Sequence, residues 1–274
     1  MKSSKSVSSR RNPLVERYRA AARRETPDVL LLDGVHLVSE AAAAGLRIRE
    51  VAVKADALAI TEVGLLVERL AHANVDVVTV AASVMDALSQ VRSSSTVVAL
   101  AECPEARESA LFAGTVPVVV IAVDVQDPGN LGSIARVAEA GGANGLIAAG
   151  ACADPFGWKA LRGSMGSALR LPIAVQLDPA RAIADARRHG CRVIATVPRD
   201  GRSLFDVDYR GPVAILVGGE GPGLPRSIVD AADERLTIPM AAPVESLNAS
   251  VAAALIVYEI RRQRTATKTR KHET

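Results

Sequence analysis

Residues Ile215–Asn248 read ILVGGEGPGLPRSIVDAADERLTIPMAAPVESLN and contain two predicted loops, each of which follows a predicted strand. The apolar run Pro212–Val217 is typical of a strand buried on both faces, and it leads into a loop with four glycines. A second strand, Arg235–Ile238, leads into a loop of small residues, after which Ser246 is a good N-cap for a long helix. Two such loops predict a ligand site that binds mainly through backbone N–H and C=O groups.

The glycine loop does not fit two better-known phosphate-binding patterns. No Lys-Ser or Lys-Thr pair follows the glycines, which argues against a P-loop. The spacing G-x-G-x-x-G is also missing here, which argues against a dinucleotide-binding fingerprint. Taken alone, the loop is as compatible with an ordinary turn as with a ligand site.

A related strand–loop–helix pattern lies about a hundred residues upstream. The apolar strand Pro117–Val123 precedes the segment Asp124–Ser133, which reads DVQDPGNLGS. Asn130 occupies the position expected of a helix N-cap, and Gly132 leaves room at the first turn. Arg136 follows Asn130 by six residues, somewhat under two helical turns, so we expect both side chains near one site.

Together these segments resemble the three motifs of the SpoU (TrmH-type) RNA ribose methyltransferases of the SPOUT superfamily. Asp124–Arg136 has the first motif's pattern, D-x-x-D-P-x-N-x-G-x-x-x-R, and Gly218–Leu224 corresponds to the second. Ile238–Met240 and Glu245–Ala252 correspond to the third. The resemblance implies an α/β fold, a trefoil-knotted SPOUT catalytic domain with a parallel sheet, S-adenosyl-L-methionine as cofactor and a homodimer formed through that domain.

Carried over by position, the resemblance implies roles for single residues. Cofactor binding, mainly by backbone groups, is assigned to Thr196, Leu216, Gly218, Gly219, Gly223, Ile238, Met240 and Leu247. Catalysis and positioning of the target are assigned to Asn130, Arg136, Glu220, Ser246 and Asn248. In this family the arginine at the position of Arg136 is discussed as activating the acceptor hydroxyl. A guanidinium has a pKa above about 12, so we expect Arg136 instead to bind a neighbouring phosphate and to hydrogen-bond the hydroxyl.

The first hundred residues predict a smaller α/β domain, in which strands alternate with helices. The phrase LDGVHLVSEA at Leu32–Ala41 resembles the start of the substrate-binding domain that precedes the catalytic domain in many members. That resemblance implies a small α/β/α RNA-binding domain similar to certain ribosomal proteins. His36 and Glu40 lie four residues apart on one helix face and are expected to pair. The candidate RNA-binding residues are Arg92, in a polar loop before the last strand, and, further along the chain, Lys159 and Arg162.

Composition shifts set the predicted domain boundaries. We expect a disordered basic tail at 1–11, the RNA-binding domain at 12–103, a linker at 104–115, the methyltransferase domain at 116–264 and a basic tail at 265–274. The last helix, Leu247–Arg261, is apolar around nearly its whole circumference, which is typical of a core helix or a dimer interface.

Composition narrows the class of protein. The 274 residues are 49% hydrophobic but only 3% aromatic, which suits α/β layers built from aliphatic side chains. Neither a run of transmembrane length nor an export leader is evident, so a soluble, cytoplasmic protein is expected. The three cysteines are widely spaced, which favours reduced structural thiols and no metal site. The net charge is +3, yet basic residues crowd both ends, which fits contact with a polyanion.

The resemblance implies transfer of a methyl group from S-adenosyl-L-methionine to a ribose 2′-hydroxyl of RNA, with 23S ribosomal RNA as the favoured target. A transfer RNA target is the alternative within the same reaction class. A non-catalytic RNA-binding protein that keeps the fold is a second alternative. A nucleotide-binding α/β enzyme of another kind is a weaker third, because no phosphate-binding motif supports it.

Overall fold

The structure is a computed structural model that describes residues 5–105 and 108–272. The strands are β1 (Lys5–Val7), β2 (Val29–Asp33), β3 (Ile48–Lys54), β4 (Asp76–Val80), β5 (Val97–Glu102), β6 (Val118–Val123), β7 (Gly145–Ala149), β8 (Ile173–Gln176), β9 (Arg192–Thr196), β10 (Arg202–Ser203), β11 (Val213–Gly218) and β12 (Glu234–Thr237). The helices are α1 (Pro13–Ala22), α2 (Val35–Ala43), α3 (Thr61–His72), α4 (Ala82–Leu88), α5 (Glu108–Leu111), α6 (Pro128–Gly141), α7 (Trp158–Ser164), α8 (Pro179–Arg188), α9 (Arg226–Asp230) and α10 (Ala249–His272).

The chain divides into two units. The first comprises the described residues up to Glu105 together with Phe156–Arg170, and the second comprises the remaining described residues. The sequence instead placed all of 116–264 in one domain. Phe156–Arg170, which contains α7, therefore belongs to a different unit from the segments that flank it in sequence.

The first unit is built on a five-stranded mixed sheet in the order β1-β4-β3-β5-β2. β1, β4 and β3 run parallel, whereas β5 is antiparallel to both β3 and β2. Helices α1 and α4 contribute to the core on this sheet. In α1 the buried residues Leu14, Tyr18 and Ala21 recur at helical spacing, which explains why one face of this arginine-rich helix packs inward.

The second unit is built on a seven-stranded parallel sheet in the order β10-β12-β9-β11-β6-β7-β8. β6 and β11 are neighbours at its centre, and their continuous apolar runs are buried, as expected of strands covered on both faces. α8 and α9 contribute to the core on this sheet, and α6 packs on α10. Because β12, β9, β11 and β6 are successive parallel neighbours, the loops that follow them gather at one edge of the sheet.

Three predicted segments differ from the structure. Part of the predicted disordered tail forms β1, which pairs with β4, and residues 1–4 lie outside the described residues. Part of the predicted linker forms α5 and ends in the buried side chains of Leu111 and Phe112. The last helix begins at Ala249 rather than Leu247 and extends into the predicted basic tail as far as His272, while residues 273–274 lie outside the described part. None of the helices in the described ranges has both the length and the apolar character that a membrane crossing requires.

Candidate functional site

A cavity of about 410 Å³ opens at the carboxyl ends of the central strands of the second unit. It is lined by the segment after β9, the glycine loop after β11, the loop after β12 and the first residues of α10. Ligands of parallel α/β sheets bind at this edge, where loops from neighbouring strands converge. The cavity is therefore the first candidate for the ligand site that the sequence predicted.

Close backbone approach shapes the glycine loop. The Gly219 N–H donates to the Val123 carbonyl at 2.9 Å, which joins this loop to the end of β6. A Cβ built on Gly219 would lie 2.1 Å from the backbone oxygen of Asp124, so a larger residue does not fit there. Gly223 pairs back with Gly219 and has a φ of +68°, a conformation that L side chains rarely adopt. The loop thus folds over β11 and presents backbone atoms to the cavity.

Three polar side chains, from the first turn of α6, the glycine loop and the residue before α10, meet beside the cavity. The Asn130 side-chain amide donates a hydrogen bond to the Glu220 carboxylate. The Asn248 amide donates to Asn130 Oδ1 at 2.9 Å. This network, formed by Asn130, Glu220 and Asn248, connects the first turn of α6, the glycine loop and the segment that precedes α10.

The structure corrects two predicted helix caps. α6 is capped by Asp127, whose Oδ1 accepts from the Asn130 N–H at 2.7 Å, so the Asn130 side chain is free to join the network. α10 is capped by Asn248 rather than Ser246, because Asn248 Oδ1 accepts from the backbone N–H of Ser250 at 2.9 Å. An Asp followed by Pro is a typical N-cap and first helical residue, and that signal could have identified Asp127.

Most of the predicted cofactor residues line the cavity: Thr196, Gly218, Gly219, Gly223, Ile238, Met240 and Leu247. Leu216 does not, because its side chain is fully buried in the sheet core. The predicted catalytic residues Glu220, Ser246 and Asn248 also line it. Asn130 lies next to it through the network, whereas Arg136 is exposed on α6 and is not part of the lining.

The sequence missed two connections that hold the surrounding loops. Asp124 has a φ of +55°, and its Oδ1 accepts from the Ala151 N–H at 2.7 Å, which joins the loops after β6 and β7. An exposed ion pair of 2.6 Å between Arg199 and Glu245 joins the loop after β9 to the segment before α10. Neither contact has a local sequence signature, because the partners are 27 and 46 residues apart.

The cavity lining contains few charged groups. Among the residues that the structure describes, Glu220 is the one charged side chain in the lining, which is otherwise apolar side chains, small polar groups and backbone. The lining has neither His nor Cys. Within the described ranges, no group of three or more His, Cys, Asp or Glu side chains is arranged to bind a metal ion. The nearby thiol of Cys152 accepts from the Val125 N–H, and burial raises its pKa.

The predicted RNA-binding residues all lie in the first unit. Lys159 and Arg162 line a second cavity, of about 420 Å³, and Arg92 is exposed in the segment between α4 and β5. The predicted pair of His36 and Glu40 is wrong. The His36 ring instead lies 3.3 Å from the carbonyl oxygen of Met165, and Glu40 forms an ion pair with Arg170.

The sequence matches two protein families along most of its length. Residues 117–258, just over half of the chain, match the SpoU rRNA Methylase family. Residues 4–114 match the family described as thiostrepton-resistance methylase, N terminus. The three motif segments all lie within the first of these matches.

Individual relatives agree with the family matches. An uncharacterized tRNA/rRNA methyltransferase of Synechocystis is 32% identical over 267 residues, which covers 96% of each chain. The 23S rRNA (guanosine(2553)-2′-O)-methyltransferase RlmP of Bacillus subtilis is 26% identical over 94% of this chain and 99% of its own length. An uncharacterized tRNA/rRNA methyltransferase of Mycobacterium ulcerans is 38% identical, but the match spans only 49% of its length and 55% of this chain.

A solved structure provides the same comparison in three dimensions. The AdoMet-bound rRNA methyltransferase of Sinorhizobium meliloti superposes with a TM-score of 0.83 at 29% identity, covering 94% of this chain and 97% of that one. The predicted α/β fold class and the predicted cofactor are thereby confirmed, while the trefoil knot stays a prediction. The family match covers the loops that line the cavity, and the Synechocystis relative matches nearly the whole chain. The chain therefore belongs to the SpoU family of S-adenosyl-L-methionine-dependent RNA methyltransferases.

Proposed function

We propose that the chain transfers a methyl group to a ribose 2′-hydroxyl of RNA and that its substrate is 23S ribosomal RNA. The observation that carries this proposal is the network of Asn130, Glu220 and Asn248, which gathers polar side chains from α6, the glycine loop and the residue before α10 beside the cavity. The name of RlmP, a relative along nearly the whole chain, supports both the 2′-hydroxyl and the ribosomal target. The match of residues 4–114 to the N terminus of thiostrepton-resistance methylases is further support for a dedicated substrate-binding unit.

The cavity fits the methyl donor in size and charge. Its volume of about 410 Å³ lies within the range of roughly 300–1,000 Å³ that is typical of small-molecule sites. When bound, S-adenosyl-L-methionine supplies an electrophilic methyl group on a positively charged sulfur. In the proposed complex Gly218, Gly219 and Leu247 bind it through backbone groups, Met240 packs against it, and Glu220 offsets its positive charge.

Catalysis at the ribose hydroxyl is proposed to depend mainly on the positioning of that hydroxyl. The cavity lining contains no imidazole or thiol that could serve as an ordinary general base. Correct alignment of two reactants can lower a barrier by roughly 7–11 kcal/mol in favourable cases. Asn130 and Glu220 are proposed to orient the target ribose. Arg136, which has no side-chain hydrogen bond or ion pair among the described residues, is proposed to bind a phosphate next to that ribose and to hydrogen-bond its hydroxyl. As the bond from that oxygen to the methyl group forms and the sulfur–methyl bond breaks, the hydroxyl proton leaves to the phosphate or to water.

The role of Arg136 can be tested with Arg136→Lys, which keeps the positive charge and removes the two-pronged guanidinium. We expect single-turnover methyl transfer to slow by roughly 10- to 100-fold, because a bidentate contact is lost. Affinity for the cofactor, measured by calorimetry, should stay unchanged. A variant that transfers methyl groups at nearly the original rate would show that guanidinium geometry is not required.

The substrate can be identified by mapping 2′-O-methylation in total RNA from cells with and without the gene. We expect one position of 23S ribosomal RNA to lose its methyl group. A change confined to transfer RNA would contradict the ribosomal target and support the alternative within the same reaction class. If the purified chain bound no S-adenosyl-L-methionine in a calorimetric titration, the enzymatic proposal would be replaced by a non-catalytic RNA-binding role.

We also propose that the chain acts in the cytoplasm as a homodimer formed through the second unit, which is expected to be trefoil-knotted. Apolar side chains at Val251, Leu255 and Tyr258 form an exposed stripe on α10, with Leu247 just before the helix. Such a stripe at helical spacing is typical of a face that packs against another helix. The opposite side of α10 packs on α6, so the exposed stripe is available for a second copy of the chain.

A further inference from the structure

The cavity of about 420 Å³ in the first unit has no assigned ligand. It is called here the first-unit cavity, and its lining includes Asp33, His36, Trp158, Lys159, Arg162 and Met165. We propose that it binds one unpaired nucleotide of the RNA substrate, with the phosphate against Lys159 and Arg162 and the base against Trp158. This inference rests on the proposed RNA substrate. It adds a second contact with that RNA, in a different unit from the cavity proposed to bind S-adenosyl-L-methionine.

The charges in the lining favour an anionic ligand. Lys159, Arg162 and His36 contribute three basic side chains. The Asp33 carboxylate opposes them, but it is 6% exposed and accepts hydrogen bonds from Ser89 Oγ at 3.1 Å and from the Gln90 N–H at 2.7 Å. Its negative charge is therefore directed at internal donors, and the open side of the cavity remains basic.

The backbone supports the same ligand class. His36 lies in the first turn of α2, a helix of nine residues that begins after Gly34 with no side-chain cap. The uncapped N-terminus of a helix attracts anions, because its first N–H groups have no partner within the helix. Across the cavity, Trp158 and Arg162 are four residues apart on α7, so both project from one face of that helix.

The Trp158 side chain in the lining favours a nucleotide over a simple anion. Trp158 is partly exposed where it lines the cavity, and it also packs against the first unit's core cluster. The Lys159 ammonium lies 5.5 Å from the centroid of its ring. A base on the indole would place its own phosphate within reach of that ammonium, and this pairing of aromatic and basic groups is how proteins bind unpaired RNA. A cavity of this volume also leaves room for a base, which inorganic phosphate would not fill.

The proposal predicts a change in tryptophan fluorescence on binding RNA, because Trp158 is the one tryptophan in the sequence. The full chain, without cofactor, is titrated with a short single-stranded oligouridylate, and fluorescence is followed at several salt concentrations. We expect Lys159→Ala and Arg162→Ala each to weaken binding by roughly 5-fold or more. Each should also lower the slope of log K against log salt by about 0.7, the value for one lost phosphate contact on a single strand.

Matched controls come from the same unit. Lys54, which pairs with Asp56 at 3.2 Å, and Arg47, which pairs with Glu102 at 3.2 Å, are basic side chains outside the cavity. Lys54→Ala and Arg47→Ala should bind the oligonucleotide within about 2-fold of the original chain. The Trp158 variants contain no tryptophan, so their binding is measured from the fluorescence anisotropy of a fluorescein-labelled oligouridylate, with the original chain measured in the same way. Trp158→Ala should weaken binding by roughly 5- to 100-fold, the usual effect of losing one stacked base. Because Trp158 also packs on the core, Trp158→Phe, which keeps an aromatic ring, should restore most of the affinity.

Two outcomes would overturn the proposal. If inorganic phosphate displaced the oligonucleotide as effectively as uridine monophosphate does, the cavity would be a simple anion site. If Lys159→Ala and Arg162→Ala bound RNA as the two controls do, the RNA would pass elsewhere. If only the nucleotide site is absent, the original chain still methylates RNA. If the proposed function itself is wrong, the original chain transfers no methyl group to RNA.

Discussion

Gly219 lies where the glycine loop approaches the backbone of Asp124 closely. We expect Gly219→Ala to destabilise the fold by about 1–3 kcal/mol, because the new methyl group would overlap the backbone oxygen of Asp124 at 2.1 Å. The affinity for S-adenosyl-L-methionine should also fall, since the glycine loop must shift. Urea denaturation and calorimetry measure the two effects.

Gly211→Ala is the matched control for that substitution. A Cβ at Gly211 would meet no atom within 4 Å, so this variant should keep its stability and its cofactor affinity. If both alanine variants behaved alike, close approach at Gly219 would not be what shapes the loop.

Substitution of Asn130 tests the network that joins the first turn of α6 to the glycine loop and to the residue before α10. Asn130→Ala removes its hydrogen bonds to Glu220 and Asn248, so we expect methyl transfer to slow by roughly 10- to 100-fold. The thermal midpoint should change little, because the network lies at the surface. Gln126→Ala, at an exposed position in the loop that precedes α6, should leave the rate unchanged. Equal rates for both variants in single-turnover assays would contradict the role of the network.

For single residues, the sequence predicted the cavity lining well where a motif is contiguous. It predicted the lining poorly where the direction of a side chain determines whether the residue reaches the cavity. Gly218, Gly219 and Glu220 follow one another in a loop, so all three reach the cavity. Leu216 lies in a strand with apolar residues on both faces, and periodicity cannot tell which side chain points toward a ligand. Asn130 was assigned a cap that Asp127 provides, because both residue types favour that position.

At the scale of elements, one arginine in the second half of α10 holds that helix against the segments before β6 and β11. Arg264 donates to the backbone oxygens of Val116 at 2.7 Å, Tyr209 at 3.0 Å and Gly211 at 2.7 Å, and its burial lowers its pKa. We expect Arg264→Met to lower the thermal midpoint by roughly 2–12 °C, because three carbonyl groups lose their donor. Arg261→Met is the control, since Arg261 makes a single bond of 3.3 Å to the Ala140 oxygen. Equal midpoints would rule out an anchoring role for Arg264.

Strand and helix positions along the chain were predictable because apolar runs and helical spacing alternate clearly. The exceptions are short or polar elements. β1 contains three residues, Lys5–Val7, and pairs with β4, which is far away in sequence, so no local pattern reveals it. α5 is a single turn, and only its burial of Leu111 distinguishes it from a linker.

At the scale of the whole molecule, the exposed stripe on α10 predicts the oligomeric state. We expect the original chain to sediment as a dimer and Leu255→Glu to sediment as a monomer, because a buried carboxylate would be unpaired in the interface. Leu177→Glu makes the same change at a leucine that is 84% exposed outside α10, and this variant should remain dimeric. A monomeric original chain, or a dimeric Leu255→Glu variant, would contradict the proposed interface.

Molecular organisation was the least predictable level. The sequence predicted two domains in succession because composition changes near residue 104. Phe156–Arg170 belongs to the first unit through contacts such as that of α7 with β2, and pairs of residues so far apart in sequence leave no local signal. The ion pair of Glu40 with Arg170 is one example, and it replaces the short-range pair with His36 that helical spacing favoured.

The polypeptide passes from one unit to the other three times, after Glu105, after Pro155 and after Arg170. If two related genes recombined at a single breakpoint near Glu105, the first unit of the product would contain an α7 from the other parent. Chimaeric proteins in this family are expected to fold only when that helix is interchangeable between the parents. An exchange of the first unit between two related chains therefore has to include Phe156–Arg170 as well as the residues up to Glu105.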